Sequence, residues 1–313
     1  MIGRLIGCAV ALVLVLAGCG GAARSMRTTT TRGAGQGPTV RFTGGSLPGT
    51  VYVGAGPDEV SLDAYRLSGP LTNAERLTYS PVGLGINGLG ANEHEVAIQR
   101  ICCGGLMYIE KLDLNLRGGL PGTVLGVGGA VAFAPDGRFA HVVPNYQGCR
   151  CDALLVRPSL LGPDRVIYRL AHPGEIIGDV WSADDRLAAM IGTSTAGGGE
   201  TNTKFVLYPG TPQQQTINPG ATVDVQSGLW FGPQGQLSYE ITGPRAVIRS
   251  SSGPVRSFLT GNWHPTCWLR NDTIFAVNLF KSTVGELNPA TGAISTIGHF
   301  PASAALFVLD CPH

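Results

Sequence analysis

The sequence has almost no excess of charge of either sign. Its 22 lysine and arginine residues are matched by 21 aspartate and glutamate residues, which leaves a formal net charge of +1 at pH 7. A protein that binds a polyanion needs an excess of basic residues that cluster on one face. The charge balance therefore argues against nucleic acid as a partner.

The sequence also lacks long hydrophobic runs beyond its amino terminus, and no stretch there sustains a 3.6-residue periodicity. We therefore expect almost no helix. The G-x-S-x-G, H-E-x-x-H and Walker motifs are absent, and the six histidines show no ligand-type spacing. The sequence GLGING at residues 83–88 matches G-x-G-x-x-G, but no helix is expected after it, so we interpret it as a turn.

Turn-forming residues are abundant instead, with 46 glycines and 21 prolines. The stretch VAFAPDGRFAHVV at residues 131–143 predicts a strand, a tight turn and a second strand. Similar stretches follow at residues 180–191, 229–239 and 267–277, and a weaker one lies at residues 86–98. A recurrence of about 40 to 50 residues built from short strands predicts a β-propeller with one four-stranded blade per repeat.

The ends of the propeller predict how its ring closes. Residues 50–79 supply only three strands before the next blade begins, and the missing fourth strand is found at residues 304–309. Pairing the carboxy-terminal strand into the first blade removes free sheet edges. We therefore expect an all-β, six-bladed propeller, with five or seven blades as the alternatives.

Two hexapeptides carry a family resemblance. FAPDGR at residues 133–138 and WSADDR at residues 181–186 resemble the repeat signature of TolB-type, WD40-like propellers. The turn LNPATG at residues 287–292 resembles the ending of such blades. The resemblance covers roughly residues 83–300, and it implies the architecture while carrying almost no information on function.

The amino terminus predicts export. Arg4 precedes an apolar core at residues 9–16 that is too short for a permanent membrane span, so residues 1–18 read as a signal peptide. Leu16-Ala17-Gly18-Cys19 resembles a bacterial lipobox, which implies a lipid on Cys19 and an extracytoplasmic, membrane-anchored protein. The alternative is an ordinary signal peptide. We expect residues 19–45 to be a flexible tether and residues 46–313 to form the propeller domain.

Six cysteines remain for disulfides once Cys8 leaves with the signal peptide and Cys19 is lipidated. They are Cys102, Cys103, Cys149, Cys151, Cys267 and Cys311. Export favours disulfides. The propeller places the last two on neighbouring innermost strands, which predicts the bridge Cys267–Cys311. One or two bridges are expected between the other two pairs, with a zinc site of four thiolates as the alternative.

The aromatic residues divide into two groups. Trp181, Phe231 and Trp268 recur at one repeat position, which predicts packing between blades. Trp263 falls outside that register, in an inter-blade stretch beside Asn262 and His264. These three residues are the predicted binding contacts.

A calcium site is the alternative functional prediction. Lactonase-type six-bladed propellers hold Ca²⁺ with oxygen ligands at the channel mouth, where the ion polarises an ester carbonyl. The residues near the corresponding positions here are Asp179, Asn87, Asn92 and Glu93. The simpler interpretation is that they are turn residues and hydrogen-bonded channel linings.

Together these features predict a lipid-anchored module of the cell envelope that binds or scaffolds a protein or another envelope ligand. We expect a monomer without a cofactor. The alternative is a calcium-dependent lactonase or esterase.

Overall fold

The strands of the computed structural model form six antiparallel sheets. The structure describes residues 39–58, 61–79, 85–92, 94–102, 106–112, 123–148, 151–172, 175–182, 184–192, 203–224, 228–250 and 254–312. Two short 3₁₀ turns are the only helical elements among these residues. The described part of the chain has no helix that is long and apolar enough to cross a membrane. The expectation of almost no helix is confirmed for the described residues.

Each sheet is one blade, and its four main strands run in order from the channel to the rim. Blade 1 contains β25 (Ala305–Asp310), β2 (Ser46–Gly56), β3 (Asp63–Pro70) and β4 (Glu75–Arg76). Blade 2 contains β5 (Ile86–Ala91), β6 (Val96–Cys102), β7 (Leu106–Leu112) and β8 (Thr123–Val127). Blade 3 contains β9 (Gly129–Phe133), β10 (Phe139–Val143), β11 (Ala153–Arg157) and β12 (Arg165–Arg169).

The remaining blades follow the same order. Blade 4 contains β13 (Glu175–Trp181), β14 (Leu187–Gly192), β15 (Lys204–Leu207) and β16 (Gln215–Ile217). Blade 5 contains β17 (Leu229–Phe231), β18 (Leu237–Ile241), β19 (Arg245–Arg249) and β20 (Arg256–Leu259). Blade 6 contains β21 (His264–Trp268), β22 (Ile274–Asn278), β23 (Thr283–Leu287) and β24 (Ile294–His299), with the short β1 (Thr43–Gly44) added at its rim.

The ring closes as the sequence predicts. The carboxy-terminal β25 pairs with β2, with Val308 opposite Val53 and Leu306 opposite Ala55. The inner strands contact one another in the order β25, β5, β9, β13, β17, β21 and back to β25. Six blades and a composite first blade are therefore confirmed.

The hydrophobic core lies between the blades. The buried apolar residues that the structure describes fall into six clusters, and each cluster joins two neighbouring blades. Trp181, Phe231 and Trp268 are all buried in such clusters, and the Trp268 indole donates to the Ser238 hydroxyl of blade 5 at 2.9 Å. Their predicted packing role follows from this geometry, because a flat sheet buries its faces only against its neighbours.

The folded body includes residues that the sequence predicts to be tether. Val40 and Phe42 are buried in the cluster between blades 6 and 1, and Thr43 pairs with His299 on β24. The apolar side chains of Val40 and Phe42 explain this, because they can be buried against the seam where the ring closes. Residues 1–38, which comprise the predicted signal peptide, Cys19 and the first part of the predicted tether, lie outside the described residues.

A disulfide joins Cys267 of β21 to Cys311, directly after β25, with the two Cα atoms 5.8 Å apart. It links the inner strands of blades 6 and 1 beside the closure. Cys151 is disulfide-bonded as well. Cys103 and Cys149 lie outside the described residues, as does the side chain of Cys102, so the pairing among those four cysteines stays a prediction.

We expect the double substitution Cys267→Ser and Cys311→Ser to lower the free energy of unfolding by about 2–4 kcal/mol, because it frees a loop of 44 residues in the unfolded chain. Chemical denaturation of the two proteins measures this. Reductant should destabilise the wild type more than the variant. Equal destabilisation of both would contradict the role of this bridge.

Candidate functional site

A cavity of about 1860 Å³ occupies the centre of the ring. Residues of β25, β5, β9, β13 and β17 line it, together with loops at both ends of these strands. Because the inner strands of a propeller are splayed around the axis, they cannot fill the centre as a packed core does. The cavity exceeds the usual volume of a small-molecule pocket, which is about 300–1,000 Å³.

The channel has two different ends. We call the end where each inner strand turns back into the second strand the hairpin face. We call the opposite end, where the chain passes from one blade to the next, the crossover face. At the hairpin face the cavity is bordered by Asn92, His94, Asp136, Arg270 and Pro312. At the crossover face it is bordered by Asn145, Asp152 and Glu175.

A carboxylate of unusual basicity lies at the hairpin end of the closing strand. Asp310 accepts hydrogen bonds from the backbone N–H groups of Ala91 at 2.7 Å and Cys311 at 2.8 Å. Asp310 is half-buried and lines the cavity. Burial raises the pKa of Asp310 to about 7, although the two N–H donors favour the charged form.

A second lining carboxylate ties blades 3 and 4 together at the crossover face. Asp152 accepts the N–H of Ile176 at 3.0 Å and the N–H of Asn145 at 3.1 Å. Burial raises the pKa of this carboxyl above its ordinary value, and the backbone bonds oppose the rise. Both carboxylates therefore hold inter-strand backbone groups while facing the channel.

Of the predicted calcium ligands, only Asn92 has a side chain that the structure describes. Its Oδ1 accepts the N–H groups of His94 and Glu95, both at 2.8 Å, so it holds the hairpin turn of blade 2. Asp179 lies in the middle of β13, opposite Ala189, but its side chain and that of Asn87 are outside the described residues, as is Glu93. The calcium site stays an untested alternative.

The three predicted binding contacts lie together at the crossover face, where blade 5 passes into blade 6. Asn262 is exposed, while Trp263 is half-buried against β23. A β-carbon on Gly285 would lie only 2.9 Å from the Trp263 ring, so the indole covers the sheet instead of projecting from it. His264 points into a group of carboxylates.

The partners of His264 are residues that sequence reasoning missed. Its Nδ1 lies 3.2 Å from Oε2 of Glu240 and 3.9 Å from Oδ2 of Asp224. The hydrogen bond to Glu240 raises the pKa of His264 in spite of partial burial. A signal for Glu240 existed, since it interrupts the otherwise uncharged strand β18.

Comparison with known proteins supports the fold. No protein-family model and no curated protein matches the chain. TolB from Acinetobacter baumannii superposes with a TM-score of 0.55 at 11% identity, over 84% of this chain and 66% of that one. This chain therefore spans slightly less than two thirds of the length of TolB, and at such identity the likeness shows a shared β-propeller fold alone.

Two further solved structures are similar at lower TM-scores. YCF48 bound to D1 peptide matches with a TM-score of 0.48 at 11% identity, over 88% of this chain and 94% of that one. The β-propeller domain of the Trilobed protease from Pyrococcus furiosus matches with a TM-score of 0.46 at 10% identity, over 68% and 71%.

The raised pKa of Asp310 predicts a pH-dependent stability. An unfolded aspartate has a pKa near 3.8 and the folded one a pKa of about 7, so the folded state binds more protons between these values. Proton binding by Asp310 therefore stabilises the folded state fully below the lower pKa, and this contribution to the free energy of unfolding is lost as the pH rises to about 7. Asp310→Asn keeps an acceptor for Ala91 without the charge.

We therefore expect Asp310→Asn to be more stable than the wild type at pH 8, by on the order of a few kcal/mol, and nearly equal to it at pH 4. Denaturant unfolding across this pH range measures the difference. Asp136→Asn, at an exposed carboxylate of the same mouth, is the control. The same pH-dependent gap in both variants would rule out the assignment to Asp310.

Proposed function

We propose that the chain is an exported lipoprotein whose propeller binds a segment of a partner protein in the cell envelope, at the hairpin-face mouth of its channel. The observation that carries this proposal is the large axial cavity, which opens among the hairpin turns. Loops held on rigid strands are a common platform for recognition.

The chemistry of the cavity suits polypeptide. Its wall presents half-buried apolar side chains, among them Ile177, Trp230 and Phe307. Charges of both signs border the mouth, with Arg270 and Asp136 exposed there. A protein segment offers apolar side chains, backbone hydrogen bonds and charges together, and a wall of this composition can satisfy all three.

The entry point of the chain suggests which face is turned to the membrane. The first described residue, Thr39, accepts a hydrogen bond from Nη1 of Arg76 at 3.2 Å, and the N–H of Val40 donates to the Tyr65 hydroxyl at 2.9 Å. Tyr65 lies near the start of β3, which is at the crossover face. A lipid on Cys19 would therefore attach the molecule to the bilayer by this face, which favours an orientation with the hairpin face directed outward.

Exposed apolar side chains on the crossover face support this orientation. Phe280 is 82% exposed and Leu279 is 42% exposed in the loop between β22 and β23, and Lys281 follows them. Leu259, which is 68% exposed, ends β20 at the same face. Aromatic and aliphatic side chains beside a lysine suit the boundary between acyl chains and anionic headgroups.

Partner binding is tested by site-specific photocrosslinking in intact envelopes. A crosslinker at position 94, in the hairpin-face mouth, should form an adduct with a protein partner, whereas one at position 172, exposed at the crossover face, should not. Arg270→Glu should reduce the adduct at position 94 at least severalfold. The matched charge reversal Arg165→Glu, on an exposed rim strand, should leave it unchanged.

The absence of any adduct at position 94 would overturn the proposal. So would an adduct that persists at full yield in Arg270→Glu, because the mouth would then take no part in recognition.

The orientation is tested separately with a polarity-sensitive fluorophore on Phe280→Cys. In full-length protein bound to vesicles containing anionic lipid, we expect a blue shift of its emission. Gln234→Cys, in an exposed hairpin turn, is the control and should show none. An unshifted spectrum at position 280, or equal shifts at both positions, would refute the orientation without bearing on partner binding.

A further inference from the structure

The group formed by Asp224, Glu240 and His264, which we call the carboxylate–histidine cluster, lies at the crossover face between blades 5 and 6. Backbone pairing holds each member in place. Val223 forms a β-bridge with Ile241, and the N–H of Asp224 donates to the carbonyl oxygen of Glu240 at 2.9 Å. His264 begins β21, where its backbone is opposite Val277.

The donor atoms of the cluster converge. One ligating atom from each of the three side chains lies within 4.8 Å of the others. The imidazole Nδ1 is 3.2 Å from the Glu240 carboxylate and 3.9 Å from the Asp224 carboxylate. Two ligands bound tetrahedrally at about 2.1 Å from one ion are separated by roughly 3.4 Å. Small side-chain movements would therefore bring all three donors to bonding distance of one ion.

Burial and charge also favour a cation at this position. The Glu240 side chain is only 1% exposed, whereas those of Asp224 and His264 are 29% and 33% exposed. The buried Glu240 carboxylate needs a compensating partner, which His264 supplies in this structure, and a divalent ion would supply it in place of the imidazole proton. Two carboxylates and a neutral imidazole balance a divalent ion, and the two half-buried members leave a side open for its entry and for water ligands.

The donor set identifies the class of ion. One imidazole nitrogen with two carboxylate oxygens suits zinc and neighbouring divalent transition metals. Calcium prefers six to eight oxygen ligands. We propose that the carboxylate–histidine cluster binds one divalent transition-metal ion of the zinc type, which joins blade 5 to blade 6 next to the closing blade. This site is separate from the proposed calcium set and does not depend on the proposed partner.

The test is a titration of the full-length chain in detergent with Co²⁺, whose visible absorption reports its coordination, followed by competition with Zn²⁺. We expect one Co²⁺ per chain, displaced by Zn²⁺, and a melting temperature that rises with Zn²⁺ because the ion binds the folded state.

Variants assign the ion to the cluster. Asp224→Asn and His264→Gln should each weaken Co²⁺ binding at least tenfold and abolish the rise in melting temperature. His299→Gln, which removes an exposed histidine at the same face, should bind like the wild type. Both test substitutions are at half-buried side chains, so we expect both variants to fold. Circular dichroism verifies that the blades remain folded.

Three results would overturn the proposal. The first is the absence of a stoichiometric Co²⁺ or Zn²⁺ site in the wild type. The second is binding that His264→Gln and Asp224→Asn leave intact. The third is displacement of the cobalt spectrum by Ca²⁺ at comparable concentration, which would contradict the assigned class of ion.

Discussion

Packing between neighbouring blades is the interaction on which the rest of the structure depends. A four-stranded sheet has two faces to bury, and here each described cluster of the core joins one blade to the next. Such an arrangement leaves no exposed face only when the ring is closed. The pairing of β25 with β2 completes blade 1 and so supports the two interfaces that this blade makes, and the bridge between Cys267 and Cys311 joins the strands at that closure.

The same constraint produces the channel. Inner strands that diverge around an axis leave a central space. The residues that face this space are not packed between two blades, so they need not be apolar. Polar groups can therefore occur there at limited cost, provided that backbone N–H groups satisfy them. Asp310 and Asp152 illustrate the balance, since each is bonded to two backbone N–H groups while enclosure raises its pKa.

The two faces of the ring differ in what they present. The hairpin face carries the short turns and the charged mouth of the cavity. The crossover face carries the entry of the chain, the exposed Phe280 and the carboxylate–histidine cluster. Under the proposed function, the crossover face would be the anchored one, and the hairpin face would remain free to meet a partner.

The sequence by itself determined the blades, because the strand-turn-strand pattern is local and recurs along the chain. It also identified the carboxy-terminal closing strand, since the first blade has only three strands near the amino terminus and needs a fourth to complete it. The packing role of Trp181, Phe231 and Trp268 was also predictable, because the three residues occupy the same position in successive repeats. The burial of Val40 and Phe42 was not, because two apolar residues in a segment rich in glycine and threonine are too few to give a periodic signal.

Only the tertiary structure decided which polar residues meet. Asp224, Glu240 and His264 come from a loop, a second strand and an inner strand of two blades, and Asp310 reaches Ala91 from the other end of the chain. Their convergence depends on the twist of each sheet and the rotation between blades. A linear pattern of residues does not encode these angles at the resolution of a hydrogen bond, so chemistry between blades appears only once the ring is assembled.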